Sequence, residues 1–369
     1  MKKLSFILVI CFTLLTSGCF LKEKDLGQMF FPVSLGISYE NEKYTIYLQV
    51  LNTSTLSIVE TETSQSDTTY ILIHAEGESI SEAFSQLGLK SLTYISAVKL
   101  KSIILHTSVL EEGPLSFDEL SQYFINSPIF RTRVQVFITD TKIEDFYSVR
   151  YMLVGSSVYS HTNEKDPQII RGYANPTYLI DALKSVKDNN RMYYFPIMDV
   201  KEENIKEGGS DGKLKSVKTY FYNGICFSTY TDVRLKCLNK EEAMGIRWYE
   251  EIEYINIEVG SNKTPINIII DKINWKTKIA NNGFLINLKI KGQISLNASN
   301  LLIEEIKLKL NEEIKKDITN TLKIAYENDI DIYHLNDYSM RTNKNIKYNL
   351  ENITIDIDTT IENTTYYKY

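Results

Sequence analysis

Apolar and polar residues alternate from Phe31 to Leu51 (Val33, Leu35, Ile37, then Tyr44, Ile46, Leu48, Val50). The break at Tyr39-Glu40-Asn41-Glu42 is polar, so this period of two predicts a hairpin. Ser57 to Thr69 has no apolar period and is expected as an exposed loop. Tyr70 to His74 reads as a short strand, and Ser79-Ile80-Ser81-Glu82 has the spacing of a capping box. Ile80, Ala83, Phe84 and Leu87 then share one helical face. Ser102 to His106 and Val134 to Thr139 read as strands, whereas Phe117 to Phe124, Lys142 to Met152 and Pro176 to Val186 read as helices. This alternation favours a mixed α/β layer over an all-β sandwich.

The pattern dissolves at Lys201 to Lys215, whose Gly, Ser and charge content predicts a solvated connection. Beyond it, Val217 to Tyr222, Ile225 to Tyr230 and Val233 to Leu238 read as strands, with Asn223-Gly224 as a hairpin signal. Asn239-Lys240-Glu241-Glu242 offers an N-cap, followed by a helix through Ile246. Ile252 to Val259, Ile266 to Lys278 and Phe284 to Leu296 are long alternating strands, the last two meeting at Asn281-Asn282-Gly283. Leu301 to Tyr326 carries a continuous stripe (Ile303, Ile306, Leu310, Ile314, Ile318, Leu322, Ala325) opposite Lys and Glu, which predicts a helix lying on a sheet. Asn349 to Ile361 supplies a last strand. The fold class expected is α+β or mixed α/β, in about three domains on mixed or antiparallel sheets with packed helices. The division read from composition is 1–18, 19–200 (an α/β region), a linker at 201–215, and 216–369 (an α+β region).

The first residues change the picture of where the chain works. Lys2 and Lys3 precede an apolar run from Leu4 to Thr16, and Thr16-Ser17-Gly18-Cys19 closes it. A charged start, a short apolar core and small residues make a secretory signal, and the run is too short for the roughly 20 residues of a membrane span. Cys19 directly after Gly18 resembles the lipobox of bacterial lipoproteins. Cleavage between Gly18 and Cys19 would leave Cys19 as the acylated N-terminus of an exported, tethered protein.

The 369 residues carry a net charge of −6, with 43% hydrophobic and 24% charged residues. That charge argues against nucleic acid, which needs clustered Lys and Arg. His74, His106, His161 and His334 stand far apart, so no metal site is expected. A phosphate-cradling Gly-rich loop, His-Glu-x-x-His and Gly-x-Ser-x-Gly are all missing. The acid pairs Glu241 with Glu242, Glu250 with Glu251 and Asp329 with Asp331 read as surface decoration. No catalytic residue, ligand site or cofactor follows from these residues, which removes the reason to propose catalysis.

Cys226 and Cys237 are the two body cysteines. If Thr231-Asp232 is a two-residue turn, Tyr230 pairs with Val233 and Cys226 falls opposite Cys237, within disulfide reach. The same register puts them on a core face, and Thr-Asp is a poor primed turn. Reduced, buried thiols are therefore expected, with a disulfide as the alternative.

In order along nearly the whole length, several blocks resemble the Ger(x)C spore germination family, the C-subunit lipoproteins of nutrient germinant receptors. They are Gly18-Cys19, Leu35-Gly36-Ile37-Ser38, Glu78 to Phe84, Lys101 to His106, Gly224 to Phe227, Arg234-Leu235, Leu238 to Gly245, and the charged helix leading to Asp329-Ile330-Asp331-Ile332. The resemblance implies a non-enzymatic subunit of mixed α/β domains. It implies that Cys19 carries the S-diacylglycerol and N-palmitoyl groups, and that the protein sits on the outer face of the spore inner membrane. The implied partners are that membrane and the polytopic A and B subunits. A solute-binding lipoprotein of an uptake system is the alternative, and it would show two similar lobes around a cleft.

Overall fold

The computed structural model describes residues 29–51, 70–91, 94–113, 120, 123–124, 126, 133–149, 172–182, 192–208, 214–228, 235–252, 255–259, 266–297 and 301–363. The signal and Cys19, the loop expected at Ser57 to Thr69, most of the helix expected at Phe117 to Phe124 and the last four residues of that expected at Pro176 to Val186 lie outside them.

The chain opens with β1 (Met29–Phe30), β2 (Pro32–Glu40) and β3 (Lys43–Leu51). Asn41 and Glu42, both at positive φ, join β2 to β3 as expected for a two-residue hairpin. Next come β4 (Tyr70–Gly77), α1 (Ile80–Ser91), β5 (Tyr94–Ile95), β6 (Ser102–His106) and α2 (Thr107–Glu111). At the start of α1, Ser79 Oγ accepts from Glu82 N at 3.2 Å, and the Glu82 carboxylate reaches back to Glu78 N at 2.9 Å. β7 (Gln135–Thr139), α3 (Ile143–Tyr147), β8 (Tyr193–Gly208), β9 (Leu214–Ser228) and β10 (Leu235–Asn239) follow.

An eight-stranded sheet runs β10-β9-β8-β7-β6-β2-β3-β4. Its centre, β8-β7-β6-β2, is parallel, and both flanks are antiparallel. Both faces of that centre are covered. Ile103 and Leu105 of β6 join one core with Ala83 and Leu87 of α1, while Ile104 joins a second with Phe146 and Tyr147 of α3. Near-continuous apolar strands such as β6 are what a doubly covered parallel layer requires.

Three expectations fail in this region. Residues 201–208 continue β8 and pair with β9, which begins at Leu214, so the described part of the stretch read as a linker lies inside the large sheet. β9 runs through Asn223-Gly224 without turning. The register skips Asn223 between Gly224↔Ile197 and Tyr222↔Met198, a β-bulge. Gly224 has φ 145°, and a Cβ there would meet the Leu238 carbonyl oxygen. The same Asn-Gly pair that suits a turn here suits a bulge under an adjacent strand. The helix expected from Asn239 to Ile246 is a run of turns ahead of the short α4 (Ile246–Tyr249). Its capping box does form, with Glu242 N to Asn239 Oδ1 at 3.0 Å and Asn239 N to Glu242 Oε2 at 2.9 Å.

The second sheet is β11-β12-β13-β14, from β11 (Ile255–Val259), β12 (Ile266–Ala280), β13 (Gly283–Asn297) and β14 (Ile353–Asn363). The Asn281-Asn282 turn joins β12 to β13 as expected, and β14 lies parallel to β13. Ile306, Leu310, Ile314, Ile318, Leu322 and Ala325 of α5 (Ile303–Glu327) are buried in the core shared with Ile268, Leu288 and Ile290. The stripe read from the sequence is thus a core stripe. That core continues to Tyr47, Phe137 and Tyr220, so one apolar body joins the two sheets. Among the described residues, no helix is long and apolar enough to cross a membrane.

Candidate functional site

The segment after α5 builds one wall of a recess. Asp329 takes the left-handed conformation (φ 57°), with Ile330 N bonded to Ala325 O at 2.8 Å and Asp329 N to Tyr326 O at 3.1 Å. These are the two bonds of a Schellman cap, and they turn the buried Ile330 under the helix end. The Asp331 carboxylate then accepts from the first amides of α6 (Leu335–Arg341): Leu335 N at 2.7 Å, Asn336 N at 2.9 Å and Asp337 N at 3.3 Å. Burial pushes the Asp331 carboxyl up to about 6 against those three donors, and nearby Asp337 adds to the rise. The acid pair read as surface decoration therefore has one enclosed member.

Opposite this wall stand α4 and β12. Arg247 and Trp248 both reach Asp317 on α5, at 2.6 Å and 3.1 Å, which directs Tyr249 outward. Tyr249 meets Trp275 of β12 edge-on, with rings at 88° and centroids 5.4 Å apart. Trp275 also packs on Tyr333 at 5.0 Å, and Tyr249 on His334 at 5.8 Å. The four rings, with Glu250, Glu251, Thr277, Asp337, Tyr338 and Arg341, line a recess of about 580 Å³.

Each carboxylate at the recess has a place. Glu251, at φ 52°, accepts from Trp275 N at 2.6 Å and so covers part of an edge that β11 leaves unpaired. Glu250 accepts from Asn175 Nδ2 at 2.9 Å, and Asn175 N donates to Tyr194 Oη of β8 at 3.3 Å, linking the recess to the eight-stranded sheet. Its carboxyl is raised chiefly by burial, opposed by hydrogen bonds from Asn175 and Tyr194. Asp337 holds Arg341 Nε at 2.8 Å.

A second buried acid, in the middle of β8, sits beside the carboxyl end of β7. Asp199 Oδ1 accepts from Thr139 Oγ1 at 2.9 Å and Asp140 N at 2.8 Å, and Oδ2 accepts from Asn223 Nδ2 at 2.7 Å. Its oxygens are engaged in joining β7, β8 and the β9 bulge, a structural role. Among the described residues, no group of three or more His, Cys, Asp or Glu could hold a metal ion.

The sequence-predicted residues fare as follows. Gly18 and Cys19 lie outside the described residues. Cys226 and Cys237 are disulfide-bonded, which corrects the expectation of free thiols. The inferred register is met, Cys226 facing Cys237, although the turn itself lies outside the described residues. The mistaken premise was a shared core face: Cys226 is buried, but β10 is an edge strand and Cys237 is exposed. The recess was missed altogether. Its available signal was that the chain's two tryptophans, Trp248 and Trp275, each lie beside or among its walls.

Comparison with known proteins bears on the whole chain. A family model described as the spore germination protein N-terminal domain matches residues 22–200. One described as spore germination B3/GerAC like, C-terminal, matches residues 233–365. The crystal structure of the GerBC protein is similar with a TM-score of 0.51 and 13% identity, covering 90% of this chain and 97% of that one. At that identity the likeness is one of fold. No curated protein sequence matches. Among the described residues, the eight-stranded and four-stranded sheets differ in size and topology, unlike the paired similar lobes expected of a solute-binding lipoprotein.

Proposed function

The chain belongs to the GerAC-like spore germination family, and on that premise we propose that it is the lipid-anchored C subunit of a nutrient germinant receptor. The observation that carries this reading is the order of the two family regions, which begin directly behind Gly18-Cys19 and span the folded body. In this reading Cys19 bears the lipid on the outer face of the spore inner membrane, the polytopic A and B subunits are its partners, and its role is non-enzymatic.

The physics of such an anchor is consistent. One acyl chain binds a membrane only marginally, whereas a second makes attachment stable, each buried CH₂ adding about 0.8 kcal/mol. Diacylation with a third N-linked chain exceeds that need, so the body requires no spanning helix. The chain from Cys19 to Met29 reaches at most about 35 Å, which keeps β1 and the amino ends of the parallel strands near the bilayer. Confinement to the same surface raises the effective concentration of membrane partners, so a modest interface suffices.

The test is Cys19→Ala in sporulating cells. Incorporation of labelled palmitate should vanish and the protein should leave the membrane fraction. Retention in the membrane at the wild-type level would contradict the anchor.

A further inference from the structure

We propose that the recess between α4, β12 and α6 binds an alkylammonium ion. Tyr249 and Trp275 stand at 88° with centroids 5.4 Å apart, the edge of one ring against the face of the other, and both side chains are only half-buried, so each still presents ring surface to the recess. The face of an indole or phenol ring carries negative potential and attracts an ammonium within about 6 Å of its centroid. Carboxylates outnumber cations around that corner: Glu250, Glu251 and Asp337 against Arg341, which is already bonded to Asp337. That balance disfavours an anion.

A bare metal ion fits poorly, because among the described residues no three His, Cys, Asp or Glu are grouped to hold one. Glu251 Oε1 holds the Trp275 amide and Glu250 Oε2 holds Asn175. An ammonium on an alkyl stem needs only the field of the carboxylates and the ring faces. The volume of about 580 Å³ lies within the usual range of small-molecule sites, roughly 300–1,000 Å³. Glu251 and His334, which bound the recess from two sides, are both held at positive φ, 52° and 53°, a costly conformation that persists where the surroundings enforce it. This site lies in the folded body and stands independently of the lipid anchor.

The same chemistry could come from a free amine or from a lysine side chain of a partner subunit. The test titrates the full-length chain in non-ionic detergent with butylammonium and tetramethylammonium chloride, following tryptophan fluorescence at constant ionic strength. A saturable change is expected. Glu251→Gln, which removes one charge, should weaken it by roughly tenfold, and Trp275→Leu, which also removes the fluorescent reporter, should abolish binding as read by saturation-transfer NMR. Saturation-transfer NMR on the wild-type protein gives the same answer should either variant fail to fold. No saturation with either ion, or an equal response to neutral tert-butanol, would overturn the site. Release of co-purified membrane subunits by butylammonium would identify a partner lysine as the natural guest, and their retention a free amine. That arm rests on the receptor reading; the titration does not.

Discussion

Arg247 Nη2 lies 2.6 Å from Asp317 Oδ2, with both side chains largely buried. The contact crosses 70 residues of chain and fixes α4 against the middle of α5. The same oxygen accepts from Trp248 Nε1 at 3.1 Å. Removing one member of such a pair strands the other charge away from water, which costs about 3–5 kcal/mol. Asp317→Ala is therefore expected to lower stability in urea or thermal unfolding by an amount in that range. A loss below about 1 kcal/mol would show that solvent reaches Arg247.

Gly224 should tolerate no side chain. Its φ of 145° and the Leu238 carbonyl exclude a Cβ, and the neighbouring Asn223 holds Asp199. Gly224→Ala is expected to destabilise the protein by at least about 2 kcal/mol, measured by the urea midpoint at unchanged slope. An unaltered midpoint would mean that β9 turns at Asn223-Gly224.

Hydrophobic periodicity made the second sheet and α5 legible, because β12, β13 and the α5 stripe each bury one face and expose the other. The Asn41-Glu42 and Asn281-Asn282 turns were legible from local polarity. Asn223-Gly224 was not, since whether such a pair turns or bulges depends on β10 alongside. The helix expected from Asn239 was lost to a tertiary contact. Thr321 Oγ1 of α5 donates to Glu242 O at 2.6 Å and accepts from Gly245 N at 2.9 Å, taking groups that a continuing helix would use. The recess has the same origin: Tyr249, Trp275 and Tyr333 come from three segments, and spacing along the chain cannot announce their meeting.

Asp331 makes stability depend on pH in a defined direction. Its folded value is raised from 3.8 to about 6, so between those values the folded state holds more protons than the unfolded one. Stability from this group is present below about pH 4 and is lost as pH rises to about 6. The stability of the wild type relative to Asp331→Asn should fall by up to about 3 kcal/mol across that window. A flat difference from pH 4 to 7 would contradict the enclosed carboxyl.

The Cys226–Cys237 bridge closes a loop of sequence separation 11. Intact-protein mass should show the loss of two hydrogens, and alkylation without reductant should leave both residues unmodified. In the chain-entropy account, reduction should cost about 2–3 kcal/mol. Full alkylation of the unreduced protein would disprove the bond.

Co-purification tests the receptor assignment most directly. The tagged protein is drawn from detergent-solubilised spore membranes and its companions are identified by mass spectrometry. The receptor reading predicts A- and B-type polytopic germination subunits in the eluate. Recovery of an uptake permease in their place would contradict it.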